Sequence, residues 1–182
     1  NLLVLVQGQG SADWNYRPIV GSVVRIRLRL VRALLGASRF ERLLEIGYGS
    51  GIFMPELARV AGEIYGIDPH PMRQQVQAVL AAYGVKAALY TSRAESLPFQ
   101  DGYFDCALSV SALEYVEDID QACRELTRVL RHRGALIVVA PGASPVWDLA
   151  LKLFTGESAT QYGNRRQRLL PSLVRHFKLE RG

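Results

Sequence analysis

The feature that most constrains the fold of this chain is a glycine-rich loop that follows a short, mostly apolar run. The run Leu43–Ile46 leads into Gly47, Gly49 and Gly51, and a helical pattern begins directly afterwards. Glycine lets a backbone turn sharply and approach a ligand closely, while the first turn of a helix presents free N–H groups. A second apolar run ends in Asp68, and an acid at the tip of the second strand of a doubly wound sheet is placed to accept ribose hydroxyls. Together the loop and the acid predict a nucleoside-containing cofactor.

Short apolar runs alternate with helical patterns along the rest of the chain, which is typical of βαβ units on a parallel sheet. We therefore expect an α/β fold, a three-layer αβα sandwich around a Rossmann-like, doubly wound and mostly parallel sheet. The predicted strands are 42–46, 63–67, 86–90, 104–110 and 135–140, and residues 177–179 are strand-like. The predicted helices are 19–35, one that includes residues 53, 57 and 60, then 72–83, 119–130, 146–154 and 169–174.

Some of these helices carry local signals for their ends and their buried faces. Asp118 precedes the helix 119–130 and is a predicted N-cap, whereas Gly36 and Gly84 are predicted helix stops. The helix 72–83 is predicted to turn inward its residues Val76, Val79, Leu80 and Tyr83. The first helix is amphipathic by spacing, and the residues predicted to face the core are Val23, Ile26, Leu30, Val31 and Leu34.

The length of 182 residues and the 49% share of hydrophobic residues predict one globular domain over 1–182 and exclude a disordered chain. Within it we expect a helical segment at 1–41, a cofactor-binding core at 42–142, and further helices with a last strand at 143–182. No apolar run approaches the roughly 20 residues of a spanning helix, so neither a membrane span nor an export signal is expected. Cys106 and Cys123 fall inside a predicted strand and a predicted helix, which favours free thiols and a cytoplasmic location.

The formal net charge of +5 is concentrated at the two ends of the chain. Arg25, Arg29 and Arg32 share the polar face of the first predicted helix. This face is either simply solvated or a contact for an anionic partner, such as a lipid surface. A nucleic-acid partner has no support beyond these basic ends.

The spacing of the loop glycines separates two kinds of cofactor. In the dinucleotide fingerprint two residues lie between the second and the third glycine, whereas here Gly51 follows Gly49 after one residue and position 52 is Ile. The carboxylate of Glu45, just before the loop, would repel a diphosphate but suits a ligand that carries an ammonium and a sulfonium. A nicotinamide-dependent oxidoreductase is therefore disfavoured.

Several ordered motifs carry a resemblance to a known family. They are Glu45–Gly51, Asp68, the segment 93–99 (RAESLPF), Phe104 with Asp105, and the segment 128–130 (RVL). Over roughly residues 42–142 the chain resembles the class I S-adenosylmethionine-dependent methyltransferases, in particular the type 11 branch that acts on small molecules. The resemblance implies methyl transfer to a small-molecule acceptor by in-line displacement, which needs positioning rather than a covalent enzyme intermediate. The sequence offers no His and Cys cluster for a metal.

The resemblance also implies roles for individual residues in holding the cofactor. Glu45 would help to anchor its amino group, and its methionine part would be wrapped by the loop residues Gly47, Tyr48, Gly49 and Gly51. Asp68 would hold the ribose hydroxyls, and Ser109 would lie beneath the sulfonium. The adenine would be packed and edged by Pro69, Met72, Arg93, Ala94 and Glu95.

Residues for the methyl acceptor carry weaker signals. The candidates for a general base are Glu114, Tyr115 and His70, with helix capping, solvation or a plain loop position as the alternatives. The candidates for an acceptor pocket are Trp14, Tyr16 and Trp147, with ordinary packing as the alternative.

Two features depart from the family's pattern. Arg93 cannot accept a hydrogen bond from the adenine amino group, so that contact must come from elsewhere or be lost. Few residues follow the fifth predicted strand, which predicts a reduced sheet that lacks the seventh strand. These departures keep open an alternative, a non-catalytic module of this fold that binds S-adenosylmethionine or another protein.

Overall fold

A five-stranded parallel sheet lies at the centre of the computed structural model, which describes residues 18–140 and 165–180. Its strands follow the order β3-β2-β1-β4-β5, so the chain winds outward in both directions from β1 and β4. The elements are α1 (Pro18–Leu35), β1 (Phe40–Ile46), α2 (Met54–Leu57), β2 (Ala61–Asp68), α3 (Arg73–Ala82), β3 (Ala88–Thr91), β4 (Phe104–Val110), a 3-10 turn (Leu113–Tyr115), α4 (Ile119–Val129), β5 (Leu130–Val139) and α5 (Arg165–His176). The predicted doubly wound α/β fold is confirmed.

The sheet is buried on both faces. All seven residues of β4 are buried, as expected for a central strand of a parallel sheet. One core lies between the sheet and the helices α1, α2 and α3, where Val31, Met54 and Leu80 pack together. The second core lies under α4 and α5 and includes Leu126 and Leu169. Helices on both faces give the three predicted layers.

Several predicted ends of elements agree with the structure. Strand β4 has the predicted bounds, and α1 ends where Gly36 adopts a φ of +56°. The Asp118 carboxylate caps α4, since its Oδ1 accepts a hydrogen bond of 2.9 Å from the Gln121 backbone N–H. These signals are local, so the sequence alone is sufficient to find them.

Two elements have lengths that differ from the prediction. The helix after the glycine loop is a single turn, α2, because β2 already begins at Ala61. Strand β5 begins at Leu130 and not at Ala135. Its pairing with β4 is irregular between these two residues. Leu130 lies opposite Phe104 and Ala135 opposite Cys106, so the intervening residues bulge out of the ladder.

The predicted inward face of α1 is wrong for three of its residues. Ile26, Leu30 and Leu34 are exposed by 54%, 47% and 41%, while Val31 and Leu35 are buried. Both sets of residues have helical spacing, so periodicity alone cannot choose between them; packing against the sheet makes the choice.

Two further predictions of side-chain position and strand structure are also wrong. Tyr83 is half-exposed at the end of α3 instead of facing the core. Residues 177–179 form no strand, because the Phe177 N–H donates to the Leu173 carbonyl and continues the helical path of α5.

Some predictions fall outside the described residues. These are the helix 146–154, the aromatic candidates Trp14, Tyr16 and Trp147, and the side chain of Val23 on α1. Within 165–180, no strand follows β5. None of the helices in residues 18–140 and 165–180 is long and apolar enough to cross a membrane.

Candidate functional site

The glycine loop, residues 47–51, crosses the carboxyl end of β1 and is held by the backbone of β2. The N–H groups of Gly47 and Tyr48 both donate to the carbonyl of Ile67, at 2.8 and 3.3 Å. The N–H of Gly51 then donates to the Tyr48 carbonyl at 2.7 Å and closes the turn. These three hydrogen bonds fix the path of the loop.

Two of the glycines are required for different reasons. Gly47 has a φ of +75°, and a side chain there would overlap the methyl group of Ala112, which follows β4. Gly49 has a φ of +49°, and apart from its own chain neighbours no heavy atom of the described residues lies within 4 Å of where its Cβ would be. Gly47 thus allows the loop to pack closely against the turn that follows β4. Gly49 leaves one side of the loop open.

Asp68 lies at the tip of β2 and contacts the loop directly. Its Oδ2 accepts a hydrogen bond of 2.9 Å from the Gly49 N–H, and its Oδ1 accepts one of 3.1 Å from the His70 N–H. A carboxylate oxygen has two lone pairs, so each oxygen keeps one for a further donor. The side chain is 14% exposed, which leaves it accessible to a ligand.

His70 has both ring nitrogens engaged with the backbone. The Met72 N–H donates to Nδ1 at 3.1 Å, so the imidazole hydrogen is on Nε2, which donates to the Gly49 carbonyl at 2.9 Å. The ring meets that of Tyr48 edge to face, with 5.0 Å between the centroids. From the sequence His70 was predicted only as a candidate base. No local signal in the sequence indicates that its ring holds the glycine loop through the Gly49 carbonyl.

Glu45 is fully buried beneath the loop, and within the described residues neither of its carboxylate oxygens has a hydrogen-bond partner. Burial, and then the charge of Asp68, raise the pKa of Glu45 well above its ordinary value. The Oγ of Ser109 and the hydroxyl of Tyr48 are likewise buried without a partner in this part of the chain. Buried polar groups are nearly always hydrogen-bonded. Three such side chains without a partner in the described ranges, close to the carboxyl ends of β1 and β4, therefore indicate a site for an external ligand.

Tyr48 stays protonated over the physiological range. Burial and the charge of Asp68 raise its pKa to about 12, although Arg73 opposes this shift. Its hydroxyl is thus available to the site as a hydrogen-bond donor.

The turn after β4 forms the other wall of the site. Ser111 has a φ of +51°, which is uncommon for a residue other than glycine, and its N–H donates to the Val139 carbonyl at 2.7 Å. Glu114 is 2% exposed and Tyr115 is 41% exposed in the following 3-10 turn. Sequence reasoning missed Ser111, although its place directly after a mostly apolar strand is a usable signal.

The segment after β3 carries the residues predicted to lie around adenine. Ala94 is buried, whereas Arg93 is exposed and forms ion pairs with Glu117 at 3.3 Å and with Glu95 at 3.7 Å. Across the neighbouring turn, Pro69 is exposed and Met72 is half-buried at the start of α3. An open cleft of about 550 Å³ lies beside this segment and is lined by Pro71, Arg73, Gln74, Tyr90, Ser92 and Pro98.

The fold and the site together define a class of protein. A doubly wound parallel sheet carries a glycine loop after β1, an acid at the tip of β2 and a buried acid under the loop. This is the Rossmann-like domain of class I S-adenosylmethionine-dependent methyltransferases, with its ligand edge at the carboxyl ends of the strands. The chain belongs to the methyltransferase domain family, whose model matches residues 44–138.

Individual relatives agree with this assignment. The ubiquinone/menaquinone biosynthesis C-methyltransferase UbiE of Vibrio cholerae is 31% identical over 140 residues, which are 74% of this chain and 54% of the relative. The ubiquinone biosynthesis O-methyltransferase of Rhizobium etli is 28% identical over 141 residues, 77% of this chain and 56% of the relative. The chain spans about half the length of these relatives.

A solved structure is similar over most of the chain. The YcgJ protein of Bacillus subtilis superposes with a TM-score of 0.62 at 27% identity, covering 71% of this chain and 57% of that protein.

S-adenosylmethionine is the cofactor of this class, and the residues present fit it. Glu45 offers a buried acid without a partner among the described residues, which suits an ammonium group. Asp68 has free lone pairs for hydroxyl donors, and the open side of Gly49 allows close approach.

Proposed function

We propose that this chain catalyses transfer of a methyl group from S-adenosylmethionine to a small-molecule acceptor. The observation that carries the proposal is the fully buried carboxylate of Glu45, which has no hydrogen-bond partner within the described residues and lies near a second acid, Asp68. A buried carboxylate without a partner is costly, and a second acid adds to the cost. A cationic ligand removes that cost and is therefore selected by the site.

When bound, S-adenosylmethionine supplies a methyl group attached to a positively charged sulfur. Glu45 would accept hydrogen bonds from the ammonium side of the ligand, and the loop residues Gly47, Tyr48, Gly49 and Gly51 would hold its amino-acid part. Asp68 would accept from the ribose hydroxyls with the lone pairs that the Gly49 and His70 N–H groups leave free. Ser109 would lie under the reacting end, and Pro69, Met72, Arg93, Ala94 and Glu95 would contact the adenine.

Most of the rate acceleration in such a displacement comes from orientation, and the rigid loop supports this role. Glu114, buried after β4, is our candidate for the general base when the acceptor is a hydroxyl group. Tyr115, half-exposed beside it, is assigned to acceptor contact. We assign His70 to positioning, because both of its ring nitrogens already bind the backbone.

The names of the relatives support a small-molecule acceptor of the kind found in quinone biosynthesis. They include both a C-methyltransferase and an O-methyltransferase, so they support the acceptor class and not the attacked atom. Trp14, Tyr16 and Trp147 stay predictions for the acceptor pocket. The cytoplasmic location and an anionic partner of the first helix also stay predictions.

Calorimetric titration of the chain with S-adenosylmethionine and S-adenosylhomocysteine tests the cofactor. We expect binding by the wild type and its loss in Asp68→Ala, while Glu180→Gln, a change of an exposed acid, binds normally. NADH serves as the competing ligand, and tight NADH binding would contradict the proposal. Circular dichroism of each variant separates lost binding from lost folding.

Turnover separates an enzyme from a binding module. Radiolabelled methyl transfer to a panel of phenol and quinol acceptors is expected for the enzyme and should fall in Glu114→Gln for hydroxyl acceptors. Binding without transfer to any acceptor in the panel would instead favour the non-catalytic alternative.

A further inference from the structure

Glu45 lies in mostly apolar surroundings. In the sheet it is placed between Gly66 of β2 and Leu108 of β4, and residues that pair in parallel strands point to the same side. Leu108 is fully buried, and the space beside Gly66, where a Cβ would be, is filled by the side chains of Met54 and Leu89. The Glu45 side chain is therefore enclosed by apolar groups next to both neighbouring strands.

A negative charge in such a place is unstable. Glu45 is fully buried, and in residues 18–140 and 165–180 neither of its oxygens has a hydrogen-bond partner. An ionised carboxylate that is buried without partners loses so much hydration that it takes up a proton instead. Without a ligand, Glu45 is therefore a neutral carboxylic acid, and its burial raises its pKa accordingly.

The second acid of the site favours the same neutral form. Asp68, at the tip of β2, carries a charge that further raises the pKa of Glu45. Asp68 itself accepts backbone hydrogen bonds from Gly49 and His70, and such bonds suit an ionised carboxylate. Of the two acids, Glu45 is thus the one that holds a proton.

The other ionisable groups around Glu45 leave this assignment unchanged. They are Tyr48 in the loop, His70 after β2, Arg73 on α3, Cys106 on β4 and Glu114 after β4. Tyr48 and Cys106 stay protonated, because burial raises the pKa of each to about 12. Within the described ranges, Asp68 is the side chain whose charge shifts the pKa of Glu45, and no arginine of α1 contributes.

An ammonium group beside Glu45 reverses its preference. It supplies the N–H donors that Glu45 lacks, and a close opposite charge favours the ionised form of an acid. Glu45 then gives its proton to the solvent and keeps the ammonium as its partner. The charges balance, since a neutral acid and a cation become an ion pair and one released proton.

We propose that binding of the cofactor is coupled to the release of one proton from Glu45 to the solvent. This inference rests on the proposed function, because it takes a ligand with an ammonium group as the occupant of the site. Protons compete with such a ligand, so acid weakens its binding. Between the ordinary glutamate pKa of 4.5 and the raised pKa of Glu45, the affinity should fall by up to about tenfold for each pH unit of acidification.

Calorimetric titration in two buffers measures the released proton directly. S-adenosylhomocysteine is titrated into the full chain in phosphate and in imidazole, whose ionisation enthalpies differ, and the difference in heat gives the number of protons released. A range from about pH 5 to about pH 7 keeps the amino group of the ligand protonated, since the ordinary pKa of such a group is about 8. We expect a release approaching one proton per bound ligand in the acidic part of this range.

A ligand without the ammonium group is the first control. 5′-Methylthioadenosine has the nucleoside and the sulfur of the cofactor but no amino-acid part. Bound to the wild type, it should release no proton, and its Kd should be the same from about pH 5 to about pH 7. A release equal to that caused by S-adenosylhomocysteine would contradict the proposal, and this comparison requires no variant to fold.

Two variants assign the proton to its residue. Glu45→Gln keeps the shape of the neutral acid but has no proton to release, so it should bind S-adenosylhomocysteine with no release and with a Kd that does not change with pH. Glu41→Gln, on the same strand with 67% of its side chain exposed, is the matched control and should release as much as the wild type. Release that persists in Glu45→Gln would trace the proton to another group, such as His70, and would overturn the proposal.

Failure of this inference is distinguishable from failure of the proposed function. A folded sample that binds neither S-adenosylmethionine nor S-adenosylhomocysteine at any pH would overturn both. Binding without proton release between about pH 5 and about pH 7 would overturn only the coupling to Glu45. The two ligands should release the same number of protons, because methyl transfer leaves the ammonium group unchanged.

Discussion

The Nε2 of His70 lies 2.9 Å from the carbonyl oxygen of Gly49 and ties the turn after β2 to the glycine loop. The N–H of the same glycine is held by Asp68. Both backbone polar groups of Gly49 are therefore fixed by residues at the tip of one neighbouring strand. A loop that is held in this way loses little further freedom when a ligand binds, which favours affinity.

We predict that His70→Ala weakens S-adenosylmethionine binding by about 5- to 30-fold, the effect of one or two hydrogen bonds worth about 1–2 kcal/mol. The turnover number at saturating cofactor should change little, because the ring positions the loop and does not touch the acceptor. Calorimetry and steady-state kinetics measure the two effects. His132→Ala, at an exposed position of the β5 bulge, is the matched control. An unchanged Kd with a collapsed kcat would restore the role of His70 as the base.

We predict that Glu45 makes the free protein less stable as the pH rises. Its pKa is raised by burial and by Asp68, so the folded state holds a proton that the unfolded chain releases near its ordinary value of 4.5. Between that value and the raised pKa the free energy of unfolding should fall, by at most about 1.4 kcal/mol per pH unit.

Denaturant unfolding of Glu45→Gln, measured against the wild type across this range, gives the contribution of Glu45. The variant should lack this fall, because the amide cannot ionise. Glu41→Gln is the matched control, since Glu41 lies on the same strand with 67% of its side chain exposed. Equal slopes for the wild type and Glu45→Gln would show that Glu45 ionises normally in the fold.

We predict that Gly47→Ala is more destabilising than Gly84→Ala. Both glycines have a φ above +70°, so both changes carry a backbone cost of about 1–2 kcal/mol. At Gly84 the space is open, whereas at Gly47 the new methyl overlaps that of Ala112, which should add about 1–3 kcal/mol. Urea denaturation measures both. Adding Ala112→Gly to Gly47→Ala should recover the steric part, and failure to do so would place the cost elsewhere.

We predict that Arg128→Lys destabilises the protein by about 1–3 kcal/mol. The Arg128 guanidinium donates to the carbonyls of Leu97 and Phe99 at 3.0 and 2.7 Å, and to Glu125 and Asp101 at 2.8 Å. A lysine ammonium cannot reach all four partners from one position. Arg124→Lys, one turn earlier on α4 and bonded to Gln121, should stay within about 0.5 kcal/mol of the wild type by the same assay. Similar values for the two changes would contradict the proposed anchoring of residues 97–101.

The sequence was most informative where the physics is local. Three predictions depended on residues close together in the chain: the parallel α/β sheet, the glycine loop and the Asp118 cap. All three are confirmed. The positions of Glu45 and Asp68 follow from the rule that the carboxyl ends of parallel strands share one edge. The fold and the family were therefore predictable from the sequence.

Long-range contacts were not predictable in the same way. The buried face of α1 depends on which of two apolar stripes fits the sheet, and spacing favours neither. His70 forms a hydrogen bond with the Gly49 carbonyl, and the turn at Ser111 places Ala112 against Gly47. Both contacts join segments that are far apart in sequence. Periodicity carries no information about such pairs.

The position of β1 between β2 and β4 has a consequence for the newly made chain. Leu43 pairs on one side with Ile64, close in sequence, and on the other with Cys106, much further along. Limited proteolysis of ribosome-bound chains of increasing length should therefore show a sharp gain in resistance once β4 has emerged from the ribosome. Until then the strand that will be the centre of the finished sheet has an open apolar edge, through which one nascent chain can pair with another.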